Sequence, residues 1–376
     1  MRFRWTWKLG RIAGIEVAVH PSWLIIYALF AWSATTLARA ISPELNAAST
    51  AVLGLIASLI IFASVIAHEF AHALVAKRLG IPIGGITLFL FGGVATILRE
   101  PALPLDEMRM AAAGPLLSLV LAVIFGALAV AAGSLHLLWA YTLCFFLAFA
   151  NGALAIFNLL PAFPSDGGRI LRAALWMAQR SQARATGIAS RISFVVALGL
   201  AAAGLYFVFS EHTVRGVWWI VIATFLAQAA ITSAQRANVD LILESMTVRE
   251  CMLHVLITVP ASTSVATFIG EIAGAPGAAY PVVSEGTLVG LADVRQTAGL
   301  PLTLWNQMPI SAVMTPIANA AALSPDANAR KALGKLHDLN LNEIPVFENG
   351  ELIGIVSQES IFRALHERRK ARSPRA

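Results

Sequence analysis

Six apolar runs set what this chain can become: about residues 21–38, 50–74, 110–133, 137–160, 190–209 and 216–234. Each approaches or exceeds the roughly 20 residues that a helix needs to cross a ~30 Å hydrocarbon core. Backbone in lipid must satisfy its own hydrogen bonds, so runs of this length predict transmembrane helices. With 58% hydrophobic and 13% charged residues over 376 positions, the composition excludes an ordinary soluble protein. The net charge of +6 does not call for nucleic acid, because basic residues in a membrane protein mark its cytoplasmic side. With the N-terminus inside, the inner segments hold Lys77, Arg78, Arg99, Arg109, Arg169, Arg172, Arg180, Arg184, Arg191 and Arg236. The outer loops hold only Arg39 and Arg215. Both termini are therefore expected in the cytoplasm, with an uncleaved first span after the basic start (Arg2, Arg4, Lys8, Arg11). Two cysteines, Cys144 and Cys251, supply neither a disulfide framework nor a Cys-rich metal site.

From about residue 240 the pattern changes to short β-branched runs that repeat. "VRECM" (248–252) matches "ISAVM" (310–314), and "YPVVSEGTLVGLADV" (280–294) matches "IPVFENGELIGIVSQ" (344–358). Each copy reads as an extended start, helix, strand, Gly turn, strand and helix. This predicts a soluble tandem α+β repeat, with residues 237–245 as linker, copies at 246–305 and 306–366, and a disordered basic tail at 367–376.

Ionisable residues inside a span are costly, which makes each one a functional candidate. In "AHEFAHALVAKRLG" (67–80), His68 and His72 are four positions apart, so a helix places both imidazoles on one face. Two neutral imidazoles so placed can hold Zn²⁺, and Glu69 beside the first can take a proton from the attacking water. A catalytic zinc normally has three protein ligands. From Ala111 to Ser165 there is no Asp, Glu, Lys or Arg, and Asp166 in "FNLLPAFPSDGGR" (157–169) is the first carboxylate to appear. It falls on the same side of the membrane as His72, which is only about 8 Å from the basic boundary at 1.5 Å per residue. Pro161 and Pro164 break the helix there and free backbone to line a cavity. A buried hydrogen-bonded group at the histidines, and a turn residue at Asp166, are the plainer readings.

"HEFAH" followed about a hundred residues later by "NLLPAFPSDGGR" resembles the site-2 protease family of intramembrane zinc metalloproteases, over roughly residues 1–236. "GIEVAVHPSW" (14–23) is similar to the family's start. The resemblance implies His68, His72 and Asp166 as metal ligands for one Zn²⁺ per chain, Glu69 as general base, and Asn158 as a substrate-binding or oxyanion residue. Ser165 stands where many members carry a leucine. The stretch "GIPIGGITLFLFGGVATILRE" (80–100) predicts two short strands, Thr87–Phe91 and Val94–Leu98, turning at Gly92-Gly93. In the family a similar membrane-associated hairpin offers an open edge to the substrate, which would make Gly92 and Gly93 substrate-binding; a purely structural re-entrant loop is the other reading. The basic stretch 169–185 is expected to lie on the inner surface against anionic lipid.

Residues 245–366 resemble a pair of cystathionine-β-synthase (CBS) domains, which often bind an adenine nucleotide between copies. The aspartate that contacts ribose in such pairs is replaced by Gln296 and Ser360, so dimerisation to a homodimer or substrate docking stands beside nucleotide binding. The expected protein is thus a polytopic α-helical membrane protein with a short membrane-associated β-hairpin and a soluble α+β tandem CBS pair. The resemblance implies a multi-pass protein of the bacterial or archaeal inner membrane that cleaves a transmembrane-helix protein within the lipid bilayer, near its cytoplasmic end. The alternative is a non-catalytic transporter or sensor regulated by the CBS pair.

Overall fold

The structure is a computed structural model that describes residues 5–89, 92–210, 213–254, 257–273, 280–316, 322–339, 341–349 and 351–372. The chain divides into two compact units, Met1–Ala237 and Asn238–Ala376.

The first unit opens with a hairpin of β1 (Trp7–Ile12) and β2 (Ile15–Val19), where the sequence predicts only a basic lead-in to the first span. Ala13 and Gly14 both have positive φ (52° and 82°), the two-residue turn whose twist suits paired strands. Then come α1 (Trp23–Ile41), α2 (Ala47–Arg78), β3 (Ile83–Phe89), β4 (Gly92–Ile97), α3 (Pro104–Ser134), α4 (Leu138–Asn158), α5 (Asp166–Gln179), α6 (Gln182–Phe209) and α7 (Thr213–Ser245). Six of these, α1, α2, α3, α4, α6 and α7, are long and apolar enough to cross a membrane. Their capping is written locally. The Asn46 side chain accepts from the Ser49 N–H to start α2, and Lys77 and Arg78 sit in its last turn, where cations suit the helix dipole. Pro104 opens α3. Exposed Leu116, Leu119, Val120 and Val123 give α3 an apolar outer face suited to lipid.

β1–β2–β3–β4 form one sheet, antiparallel except for the β2–β3 pair, with β4 at an edge. The expected hairpin is present but shifted. Gly92 and Gly93 pair with Phe89 and Leu88 as the first residues of β4, so they are strand rather than turn. Residues 90 and 91, where the expected first strand ended, lie outside the described residues. The stretch 169–185 is divided between two helices: Arg180 ends α5 in the left-handed region (φ 54°), and Ser181 caps α6 by accepting from the Arg184 N–H.

In the second unit, α8 (Val248–Cys251), β5 (Val259–Pro260), α9 (Val265–Thr267), β6 (Tyr280–Ser284), β7 (Thr287–Ala292) and β8 (Thr315–Pro316) precede α10 (Ala329–Asp338), β9 (Glu343–Glu348), β10 (Glu351–Ser357) and α11 (Gln358–Arg372). Among the described residues, the second copy has two full α-helices, whereas the first has short helical turns over Val265–Ile272. In the first, Gly299 and Pro301 leave 3₁₀ turns at Val294–Thr297 and Leu302–Leu304 in place of the closing helix. The 237–245 linker is instead the helical end of α7, and the tail is helical as far as Arg372.

The two copies exchange their leading segments. Leu243, Met246, Val248, Cys251 and Met252 pack in a core with Leu323, Leu336, Ile344, Val346 and Ile361. Ile310, Val313 and Met314 pack in the other core with Val259, Phe268 and Val282. The repeated Met and Gly meet across this exchange: a Cβ on Gly354 would lie 2.9 Å from Met252 Sδ, and one on Gly290 2.6 Å from Met314 Sδ.

Candidate metal centre

His68 and His72 stand one turn apart on α2 with their ring centroids 4.9 Å apart. Asp166, the first residue of α5, reaches them from a different part of the chain. The three facing atoms form a triangle: His68 Nε2 to His72 Nε2 3.2 Å, and Asp166 Oδ2 to each Nε2 3.2 Å. Tetrahedral zinc with bonds of ~2.0–2.1 Å has ligand–ligand edges of about 3.3 Å, so the donor set fits that ion. Both histidines are buried, and Asp166 is nearly so.

The local sequence explains how Asp166 arrives. α4 stops at Asn158, and residues 159–165 turn back without regular structure. The Ser165 hydroxyl lies 2.7 and 2.6 Å from the carbonyls of Leu160 and Ala162, holding that turn closed. A Cβ on Gly167 would lie 2.3 Å from the Leu159 carbonyl oxygen, and one on Gly168 2.7 Å from the Ala162 carbonyl carbon. The "DGG" sequence therefore lets the first turn of α5 press directly onto the loop.

α3 provides the surroundings, through Met110, Gly114 and Ser118 at four-residue spacing. The His72 Nδ1–H donates to the Met110 carbonyl at 2.7 Å, which leaves Nε2 as the lone-pair nitrogen. Ser118 Oγ is 2.8 Å from His68 Nδ1 and can fix that ring in the same sense. A Cβ on Gly114 would lie 2.2 Å from His72 Nε2 and 2.5 Å from His68 Nε2. Glycine thus keeps open the space beside both nitrogens that a shared ion needs. These three residues drew no attention in the sequence, because their spacing is meaningful only once α3 is known to lie on the histidine face of α2.

Glu69, Asn158 and Asp166 line one cavity of about 290 Å³ with the two histidines and Gly93. The Glu69 carboxylate faces the backbone N–H of Ala95 on β4, and a Cβ on Gly93 would lie 2.4 Å from Glu69 Cγ. β4 is thereby seated against the carboxylate, and Gly93 permits the approach. Gly92 sits at the strand's first pair, opposite Phe89. One Asn158 amide N–H donates to the Leu154 carbonyl at 3.1 Å, and the amide's second N–H remains for other use. At the other unit's repeat positions, the Gln296 side chain accepts from the Asp293 N–H and donates to the Thr315 hydroxyl. The Ser360 hydroxyl is held by Ser357.

Known proteins resemble this chain over most of its length. The profile of Peptidase family M50 matches residues 56–137 and 126–200, and that of the CBS domain matches residues 310–367. "Putative zinc metalloprotease Rip3" of Mycobacterium tuberculosis is 34% identical over 95% of this chain and 92% of its own length. The zinc metalloprotease MJ0392 of Methanocaldococcus jannaschii is 27% identical over 95% of each chain. A solved site-2 protease from Methanocaldococcus jannaschii is 28% identical, covering 61% of this chain and 95% of its own with a TM-score of 0.42. The chain belongs to peptidase family M50, the site-2 proteases, and is a multi-pass membrane zinc metalloprotease that carries a CBS domain.

Proposed function

We propose that this enzyme cleaves a transmembrane segment of another membrane protein near its cytoplasmic end, with one zinc ion per chain held by His68, His72 and Asp166. The observation that carries the reading is the 3.2 Å triangle of donors opening on the cavity that also holds Glu69. Bound zinc supplies Lewis acidity, polarising a peptide carbonyl and acidifying water. Glu69 takes the proton of the attacking water and passes it to the leaving amine. Asn158 lines the same cavity, and its second N–H can donate to the carbonyl oxygen as charge develops on it. A helical segment has no accessible peptide bond, so the substrate must unwind. The free edge of β4, with Gly92 and Gly93 at its start, offers an extended partner on which it can do so.

The basic residues at the metal-bearing end support a cytoplasmic location for that end and for both termini of a cell-membrane protein. The product is a released cytoplasmic domain, as in regulated intramembrane proteolysis of an anti-sigma factor or similar signalling protein. The repeats at 246–305 and 306–366 regulate the protease or join two copies of it. Their Gln296 and Ser360 side chains are engaged locally, which supports that role over an adenine nucleotide.

Glu69→Gln tests the mechanism. The variant is expected to retain zinc, measured as metal per purified chain, and to lose cleavage of a membrane substrate by about 10²–10⁴-fold. Cleavage at the parental rate would remove Glu69 from the reaction.

A further inference from the structure

The proposed ligands come from two helices that share no direct connection, so something must set the distance from α5 to α2. Glu107, in the first turns of α3, is fully buried. Its Oε1 accepts from Arg172 Nε at 2.8 Å and from the same guanidinium's Nη2, and Arg169 Nε approaches to 3.8 Å. Arg172 lies on α5, less than two turns beyond Asp166. Its guanidinium also stands 5.7 Å from the centroid of the Phe163 ring, in the loop that delivers Asp166. One helix thus reaches both ligand-bearing helices: the Met110 carbonyl and Ser118 meet the histidines of α2, and Glu107 meets Arg172 of α5, which in turn stands over the loop at Phe163.

A buried ion pair is a poor device for stability alone, because desolvation offsets most of its attraction. It is a good device for register here, since two N–H groups of one rigid guanidinium converge on the single oxygen Glu107 Oε1. We infer that Glu107 and Arg172 are positioning residues for the metal centre, fixing Asp166 at the distance from His68 and His72 that zinc requires. Neither lines the cavity that holds the three proposed ligands. The inference rests on Asp166 being a ligand.

The test is zinc affinity of the full-length detergent-purified protein, stripped of metal and titrated with zinc against a chromophoric chelator. Thermal midpoints of the metal-free forms are recorded in parallel. Arg172→Lys keeps the charge but loses the fork; Glu107→Gln keeps the shape but loses the charge. Each is expected to weaken zinc binding about 10- to 100-fold, as outer partners of metal ligands do. The double variant should weaken it no further than the stronger single, because the two residues act as one unit. If Glu107→Gln does not fold, Arg172→Lys decides alone. Lowered thermal midpoints with zinc affinity within about twofold of the parent would make the pair merely structural and overturn the inference. Asp166→Asn separates the premises. If it abolishes zinc binding while the Arg172 and Glu107 variants do not, only the tether fails. If it leaves zinc affinity unchanged, the ligand assignment fails and the tether with it.

Discussion

At the scale of single residues, the site depends as much on side chains that are missing as on those present. Gly114→Ala would put a methyl group 2.2 Å from His72 Nε2, and that ring cannot swing away without breaking its bond to the Met110 carbonyl. The variant is expected to fold, as judged by helical circular dichroism, and to bind zinc more weakly by on the order of 100-fold. Ser118→Ala is milder. It removes the partner of His68 Nδ1 while leaving the space open, and is expected to cost about tenfold in zinc affinity by the same titration. His68, Glu69, His72 and Asp166 were legible on paper because ionisable groups in an apolar run have few ordinary explanations. Gly114 and Ser118 were not, since small residues are common in membrane helices and acquire meaning only from what packs on them.

Among the elements, β4 joins the fold to the chemistry. It is an edge strand, and Glu69 faces the N–H of its Ala95. Proline is tolerated on an edge strand where the N–H points away from the ladder, so Ala95→Pro should leave the sheet and the zinc content intact. It should lower kcat/KM for a membrane substrate about 10- to 100-fold, because the one N–H removed both faces Glu69 and is a donor on the strand edge offered to substrate. Unchanged kcat/KM would separate the strand from the reaction. The hairpin itself was readable from its β-branched residues, but its register was not. Gly-Gly looks like a turn, and only pairing with Phe89 and Leu88 shows it to be strand, with glycine serving close approach to Glu69.

At the scale of the whole molecule, the second unit resists division into its two copies. The second unit's cores are interleaved, because the leading segment of each copy packs in the other's core. A fragment of residues 306–376 lacks Leu243, Met246, Val248 and Met252 and is expected to remain unfolded by circular dichroism. A fragment of residues 238–376 should melt cooperatively, since it holds both cores. Folding of the shorter piece would show that the exchange is not required. The sequence repeat marks each copy as a contiguous stretch, yet burial of Met252 against Gly354 and of Met314 against Gly290 ties the stretches crosswise.

The family and the six spans can be read from the sequence without any structure, which also marks out the charge asymmetry and the ionisable residues of the candidate site. These follow from transfer free energies and local spacing, which need no partner to be evaluated. Tertiary structure alone decided that α3 is the helix around which the metal centre is arranged, that Glu107 meets Arg172, and that the CBS copies exchange segments. Each of those is a contact between residues far apart in the chain, and distance along a sequence carries no information about which face of one helix meets which face of another.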